Sequence, residues 1–495
     1  MAACGGVVAV PEGLVHDEGQ RQALARLARA VGALEPSFIV VEGPEGVGRR
    51  TAAALVAGRA RRRAVAISAA RVGTAIPAIE EALAGLRREA LLTGALPVVC
   101  DLEEWLSQPA PGVVHAVARA LDEFPVTVVG TASHAGLDLR VRRPVARIEL
   151  GLPAPETRAV LWRKALGEHR LSDEDLEVLA ARHAMGAGGI ARAGALAHAQ
   201  LQPPATSPTM ADVTAGVRNM IADRLKGLAG RVAVRQSWDD LILPDDTLDQ
   251  IRALVARVRH APTVLGRWGF DAKLPHGAGM AAMFTGPPGT GKTMVAGLIA
   301  RDLGLELYVV DLSQVVSKWI GETEKQLGRI FDAAEAGHAL ILFDEADALF
   351  AKRTEVKGAT ERYANLEVNY LLTRIEAFSG VAVLTTNLDT SIDPALRRRL
   401  AATVAFWPPE LPERTRLWQS MLSTAAPMAA DIDVAVLARD FPALAGGHIR
   451  NAAVAAAFLA AAAGEPIGQE HLLRAARAEY RSLGRVLDEA PGGRA

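Results

Sequence analysis

The stretch Gly286-Pro-Pro-Gly-Thr-Gly-Lys-Thr293 follows an apolar run at 280–285 and precedes a helical pattern at 294–303. It fits the pattern Gly-x-x-x-x-Gly-Lys-Thr between a strand and a helix. Glycines let backbone amides close around phosphate oxygens, and the following helix directs the positive end of its dipole at them. Lys292 would bridge the β- and γ-phosphates, and the Thr293 hydroxyl would ligate Mg²⁺. The loop therefore predicts an α/β protein that binds ATP through Gly286, Pro287, Pro288, Gly289, Thr290, Gly291, Lys292 and Thr293.

Two carboxylates end the apolar run at 339–343. Such a run is typical of a parallel strand buried on both faces, which would place Asp344 and Glu345 at the carboxyl edge of the sheet, beside the phosphate loop. Asp344 would hold Mg²⁺ through water, and Glu345 would act as general base on the attacking water. An apolar run ending in two acids is common at solvated strand ends, so the assignment depends on the loop.

Three further polar residues lie after the next apolar run, 381–384. Asn387, just after that strand, would orient the attacking water, although an isolated asparagine is also a common turn residue. In the segment Ile392-Asp-Pro-Ala-Leu-Arg-Arg-Arg-Leu400, Arg398 and Arg399 would stabilise the γ-phosphate of a neighbouring subunit. The alternative is a solvated basic helix end.

Together, these motifs resemble the classical AAA clade of AAA+ ATPases over about residues 238–480. The resemblance implies ATP hydrolysis with Mg²⁺ by a P-loop NTPase core, with a parallel five-stranded sheet and a small helical lid. It also implies a homo-hexameric ring with ATP between subunits. In the lid, Arg450 stands where many AAA+ proteins carry a second sensor of the γ-phosphate, but much of this clade lacks that arginine. A surface role for Arg450 is the alternative.

The segment Ser317-Lys-Trp-Ile-Gly-Glu-Thr-Glu324 resembles the first pore loop of the clade. There, an aromatic and an aliphatic side chain grip a polypeptide in the channel of the ring, and an exposed aromatic ring suits contact with many different side chains. The expected pore-loop residues are Lys318, Trp319, Ile320 and Gly321. A tryptophan buried in a core is the alternative.

Several local matches point to a narrower subfamily. The segments 238–244, 317–325 and 362–365, with the Arg-Arg-Leu ending at Leu400, are similar to bacterial AAA ATPases encoded with contractile injection systems. The resemblance implies a cytoplasmic remodeller that serves the assembly, cargo loading or recycling of such particles, and the residues do not choose among these roles.

Composition narrows the class of protein. The chain has 495 residues, half of them hydrophobic and only 4% aromatic, with 55 basic and 56 acidic side chains. That length allows three or four compact units, and the balanced charge makes nucleic acid an unfavoured partner. Two isolated cysteines, with no signal sequence and no apolar run long enough to span a bilayer, predict a soluble cytoplasmic protein without a membrane partner.

The first half of the chain resembles a degenerate copy of the second. Phe38-Ile-Val-Val-Glu-Gly-Pro-Glu-Gly-Val-Gly48 also leads an apolar run into a glycine loop, and further echoes follow along both halves. Gly48 and Asp101 are 53 positions apart, as are Gly291 and Asp344. This spacing aligns Asp101 with Asp344 and moves the second acid to Glu103.

The first half lacks the residues that ATP hydrolysis requires. Arg49 and Arg50 replace Lys292 and Thr293, and arginine has no hydroxyl for Mg²⁺. We therefore predict a degenerate AAA-like domain at 1–201, with a core to about 150 and a lid at about 151–201. A linker and connector helix at 202–237, an ATPase core at 238–408 and a lid with a C-terminal helix at 409–495 complete the chain.

Three functions fit these motifs. The first is an ATP-driven protein remodeller or unfoldase with one active site per chain. The second is a nucleic-acid-associated ATPase, and the third is a nucleotide-gated scaffold. Trp319 favours the first, the balanced charge weakens the second, and an intact Glu345 weakens the third.

Overall fold

A computed structural model describes most of the chain and divides it into two compact units, Met1–Arg224 and Leu225–Ala495. The described residues are 15–33, 35–107, 112–133, 136–167, 171–201, 207–270, 279–312, 323–337, 339–346, 370–378, 380–387, 397, 400–422 and 425–485.

The first unit contains a parallel five-stranded sheet in the order β2-β3-β4-β1-β5. Its strands are β1 Phe38–Glu42, β2 Ala64–Ser68, β3 Leu96–Cys100, β4 Val128–Ala132 and β5 Val145–Glu149. The helices that accompany it are α1 Glu18–Val31, α2 Arg49–Arg59, α3 Ala69–Val72, α4 Ile76–Thr93, α5 Glu103–Leu106 and α6 Val113–Asp122. Strands β1, β3 and β4 are buried at every position, as expected where helices cover both faces of a parallel sheet.

Four helices complete the first unit: α7 Pro155–Leu166, α8 Asp173–Arg182, α9 Ala187–Ala199 and α10 Met210–Arg224. Helix α10 packs on α9 inside this unit. The segment expected to connect the two halves therefore supplies the last helix of the first lid, and the division of the chain follows Arg224.

The second unit repeats this arrangement with the sheet order β11-β7-β10-β9-β8-β6. Its strands are β6 Gly230–Arg231, β7 Met280–Thr285, β8 Glu306–Asp311, β9 Ala339–Asp344, β10 Val381–Thr386 and β11 Ala402–Ala405. Five of them are parallel, and β6 adds an antiparallel edge. The helices beside the sheet are a 3-10 turn at Trp238–Asp240, α11 Asp245–Ala261, a π-helical turn at Pro262–Arg267, α12 Lys292–Asp302 and α13 Thr323–Gly337. The expected α/β fold with a parallel five-stranded sheet is confirmed.

The second lid has its own apolar core, centred on the fully buried Trp418. Its helices are α14 Leu411–Met421, α15 Val434–Asp440, α16 Gly446–Ala463 and α17 Gln469–Ser482. Alanine lines the buried face of α16, so this helix can approach its neighbours closely.

A buried arginine holds each lid together in the same way. Arg158 Nε donates to Ala180 O and its Nη1 to Pro153 O, while Arg414 Nε donates to Ala438 O. Nη1 of Arg414 likewise donates to Pro409 O. Each guanidinium thus caps a carbonyl in the last turn of a short helix, which has no partner within that helix. Burial lowers the pKa of both groups. The same arginine hydrogen bonds in both lids support the view that the two units arose by duplication.

Within the described ranges, no helix is both long enough and apolar enough to cross a membrane.

Replacement of Arg414 by Met should destabilise the second lid by about 2 kcal/mol, because it leaves two carbonyls with no side-chain donor. Calorimetry of the full-length chain measures the effect, and Arg416→Met, an exposed change on the same helix, is the control. Equal shifts in the two variants would show that the buried cap contributes nothing.

Candidate nucleotide-binding site

The phosphate loop of the second unit begins at Gly286, where any side chain would collide with neighbouring backbone. Gly286 has φ +139°, and a Cβ there would lie 2.1 Å from the carbonyl oxygen of Phe406. Its amide donates to Thr386 O at 3.1 Å. Strand β10 therefore anchors the start of the loop.

The remainder of the loop turns back toward helix α12. Gly289 and Gly291 have φ +78° and +97°, a left-handed backbone that glycine adopts without strain. The Thr290 hydroxyl donates to Pro287 O at 2.8 Å, which closes the turn. Helix α12 begins at Lys292, so its first amides face the loop, as a phosphate group requires.

Lys292 connects the loop to the neighbouring strand. Its side chain is only 8% exposed, and Nζ donates to Pro287 O at 2.9 Å and to Asn387 Oδ1 at 3.0 Å. A third hydrogen bond goes to Gly286 O. The structure thus brings together two residues that are 95 positions apart and that the sequence assigned to one site.

Asp344 ends strand β9 at the same edge of the sheet. Its Oδ1 accepts a hydrogen bond from the Thr385 hydroxyl, and Asp311 on β8 stands in register beside it. Asp344 and Thr293 are both partly exposed. A carboxylate and a hydroxyl are the oxygen ligands that Mg²⁺ prefers, so these two residues fit the expected metal.

Glu345 has an unusual backbone. Its φ is +54°, one of three positive values among the described residues that are not glycine. The next amide, that of Ala346, donates to Thr385 O at 2.9 Å and fixes the turn. The Glu345 side chain is exposed. Strained backbone of this kind concentrates at functional sites, and here it directs a carboxylate out of the sheet edge.

The lid touches the phosphate loop directly. The amide of Gly447, in the first turn of α16, donates to Gly289 O at 2.9 Å. Arg450 lies three residues further along the helix with an exposed side chain. Arg450 therefore lies within one helical turn of the residue that contacts the loop.

Several expected site residues lie outside the described residues. They are Lys318, Trp319, Ile320, Gly321, Arg398 and Arg399.

The glycine loop of the first unit has nearly the same geometry. Gly43, Gly46 and Gly48 have φ +155°, +82° and +96°, and Arg49 Nη1 donates to Gly43 O at 2.7 Å. Arg49 thus takes the position of Lys292. Arg50, in the place of Thr293, donates from Nη2 to Asp101 Oδ2 at 2.5 Å.

The expected alignment of Asp101 with Asp344 is wrong by one residue. Strand β3 ends at Cys100, and Asp101 then has φ +62°, as Glu345 does after β9. The next amide, of Leu102, donates to Thr131 O, the counterpart of Thr385 O. The first half is one residue shorter between its glycine loop and this turn, so equal spacing in the sequence misaligned them.

The corrected alignment changes which residues of the first unit correspond to Asp344 and Glu345. Cys100 stands at the position of Asp344, and Asp101, not Glu103, stands at the position of Glu345. Burial raises the pKa of the Cys100 thiol, which keeps it protonated and unsuited to Mg²⁺. The first unit therefore lacks a carboxylate at the position of Asp344, the expected Mg²⁺ ligand, and has one at the position of Glu345.

Two functional contacts were missed from the sequence. The sequence motifs did not identify Thr385, yet its hydroxyl donates a hydrogen bond to Asp344 Oδ1. Its position at the end of the strand next to β9 was the available signal. The sequence gives a weaker indication of the contact between Gly447 and Gly289. A pair of adjacent glycines recurs in both lids, at 188–189 and 446–447.

Comparison with known proteins agrees with this geometry. Residues 282–407 match the model of the ATPase family associated with various cellular activities (AAA). The chain is 32% identical to Protein SAV of Sulfolobus acidocaldarius over 206 residues, which is 41% of this chain and 26% of that protein. It is also 32% identical to the ATP-dependent zinc metalloprotease FtsH of Cutibacterium acnes over 229 residues, 45% of this chain and 30% of that protein.

A third relative is the cell division cycle protein 48 homolog of Archaeoglobus fulgidus. It is 34% identical over 157 residues, which cover 31% of this chain and 21% of that protein. The chain thus spans less than a third of the length of each of these relatives. The family match and the phosphate loop, strand ends and lid contact described above lead to one conclusion: the second unit of this chain contains an ATPase domain of the AAA family.

Proposed function

We propose that this protein is an ATP-hydrolysing remodeller of protein substrates, with one active Mg²⁺-dependent site per chain. The observation that carries the proposal is the meeting of Lys292, Asn387, Asp344 and Glu345 at one edge of the second sheet. A binding scaffold needs the lysine, but only hydrolysis needs a carboxylate placed to activate water.

Each of these residues has a distinct task. Lys292 Nζ is already directed into the mouth of the loop, where phosphate oxygens would replace the carbonyl acceptors that it now contacts. Thr293 and Asp344 would hold Mg²⁺, which neutralises charge on the phosphates. Glu345 accepts a proton from the attacking water, and Asn387, whose Oδ1 accepts a hydrogen bond from Lys292, orients that water.

The ring and the pore are supported by the sequence motifs. Arg398 and Arg399 would complete the site of the neighbouring subunit, which makes hydrolysis depend on assembly into a homo-hexamer. Arg450 would sense the γ-phosphate from the lid. Trp319, with Ile320, would contact the substrate polypeptide, and the energy of hydrolysis would move it through the channel.

The cellular role rests on subfamily resemblance. We propose a cytoplasmic protein that prepares, loads or recycles components of a contractile injection system. The tryptophan of 317–324, with the segments 238–244 and 362–365, supports this narrower role.

Replacement of Glu345 by Gln should lower ATP turnover at least 100-fold and preserve ATP-dependent ring assembly, because the amide cannot accept the proton but retains the shape of the side chain. Steady-state phosphate release and mass photometry with ATP measure the two effects. Glu410→Gln, an exposed change in the same unit, should leave both unchanged.

Two results would contradict this assignment. Turnover unchanged by Glu345→Gln would remove the base role, and a monomer that persists with ATP would remove the ring. Stimulation of turnover by DNA, instead of by an unfolded protein, would favour the nucleic-acid-associated ATPase.

Replacement of Trp319 by Ala should abolish substrate remodelling while ATP turnover stays within about threefold of the parent protein, because the aromatic grip is separate from the phosphate site. Unfolding of a fluorescent protein substrate measures the first effect. Trp268→Ala is the control, since Trp268 is 67% exposed and belongs to no proposed site. Remodelling that survives Trp319→Ala would exclude threading.

A further inference from the structure

The glycine loop of the first unit is tied to its own lid by an ion pair. Glu45 lies in the loop, and its Oε1 accepts a hydrogen bond from Arg224 Nη2 at 2.9 Å. Arg224 is the last residue of α10, and its side chain is only 17% exposed. One charge comes from the core and the other from the lid.

The second unit has no means to form this pair. Pro288 stands in the loop where the first unit has Glu45, and Leu483 follows α17 where the first unit has Arg224. Neither side chain carries a charge. In the unit with the catalytic residues, the lid therefore contacts the loop without an ion pair at these positions.

A second observation, independent of charge, is that the lid of the first unit leaves no room for a side chain at one point where it meets the loop. Gly186 precedes α9, and a Cβ there would lie 2.5 Å from the carbonyl carbon and oxygen of Gly46. Its counterpart before α16 is Ala445, where a methyl group is accommodated. The amide of Gly188 donates to Gly46 O at 2.8 Å, as that of Gly447 does to Gly289 O at 2.9 Å, so the difference between the units lies at Gly186.

The charged groups of the first site are satisfied internally as well. Arg50 occupies the position of the metal ligand and pairs with Asp101 at 2.5 Å, and Ser68 Oγ donates to the same carboxylate oxygen at 2.6 Å. The guanidinium supplies positive charge beside this carboxylate without a metal ion.

We propose that the first unit is locked closed without nucleotide: Glu45–Arg224 and the close approach at Gly186 join its core and lid, and Arg50–Asp101 pairs two core residues at the position of the expected metal site. ATP and Mg²⁺ contribute nothing to this closure, whereas they bind between the loop and lid of the second unit. The first unit is accordingly a fixed part of each subunit while the second changes with the ATP cycle.

Hydrogen exchange of the full-length chain tests the lock, with and without ATPγS and Mg²⁺. Amides at 286–292 should gain at least tenfold protection from the nucleotide, and amides at 43–50 should change less than twofold. Comparable protection of both loops would overturn the proposal. If neither loop gains protection, the second unit does not bind the nucleotide. Substitutions at Arg224 and Gly186 then test the closure of the first unit independently.

Charge reversal tests the ion pair directly. Arg224→Glu should speed exchange at 43–50 about two- to fivefold, the range expected for a partly exposed ion pair, and Glu45→Arg in the same chain should restore the parent rate. Arg192→Glu, an equal change on the exposed face of α9, is the control. Equal exchange in the Arg224 and Arg192 variants would overturn the role of the pair.

A methyl group tests the close approach. Gly186 has φ −74°, which alanine adopts freely, so Gly186→Ala changes only the space beside Gly46. This variant should speed exchange at 43–50 and at the start of α9, whereas Ala445→Gly should leave exchange at 286–292 unchanged. Exchange unaffected by Gly186→Ala would overturn the claim that the lid is held at contact distance.

Discussion

The buried ammonium of Lys292 is the constraint on which the second unit depends. A buried cation must find acceptors, and here the loop carbonyls and the Asn387 amide provide them. This requirement fixes the phosphate loop against the end of β10. Strand β9 is the next strand in the sheet, so the same geometry sets the distance from the lysine to Asp344 and Glu345. Positive charge and carboxylates thus meet where parallel strands end.

The motifs predicted the fold and the centre of the site because each has a short-range physical cause. Glycines at positions of positive φ, an apolar strand and a helix start are encoded within a few residues of Lys292. Contacts between distant segments have no such signal. The hydrogen bond from Thr385 to Asp344 and the one from Gly447 to the phosphate loop depend on which strands and helices become neighbours. These are properties of the folded chain.

The alignment of Asp101 shows why spacing alone misleads. A single residue fewer between the glycine loop and the end of the strand moves every later match by one position. The left-handed turn after the strand is the reliable marker, because it follows from the backbone and not from the count. By that marker Asp101 is the counterpart of Glu345, and Cys100 is the counterpart of Asp344. The two units therefore differ in more places than the loop itself indicates.

Gly186 has a consequence for how the first unit could change over time. Restoring a lysine and a threonine to its glycine loop would not by itself recreate a working site, because the lid would still rest on Gly46 and an arginine would still be paired to Glu45. Recovery of a nucleotide site in the first unit would therefore require changes in the lid together with those in the loop.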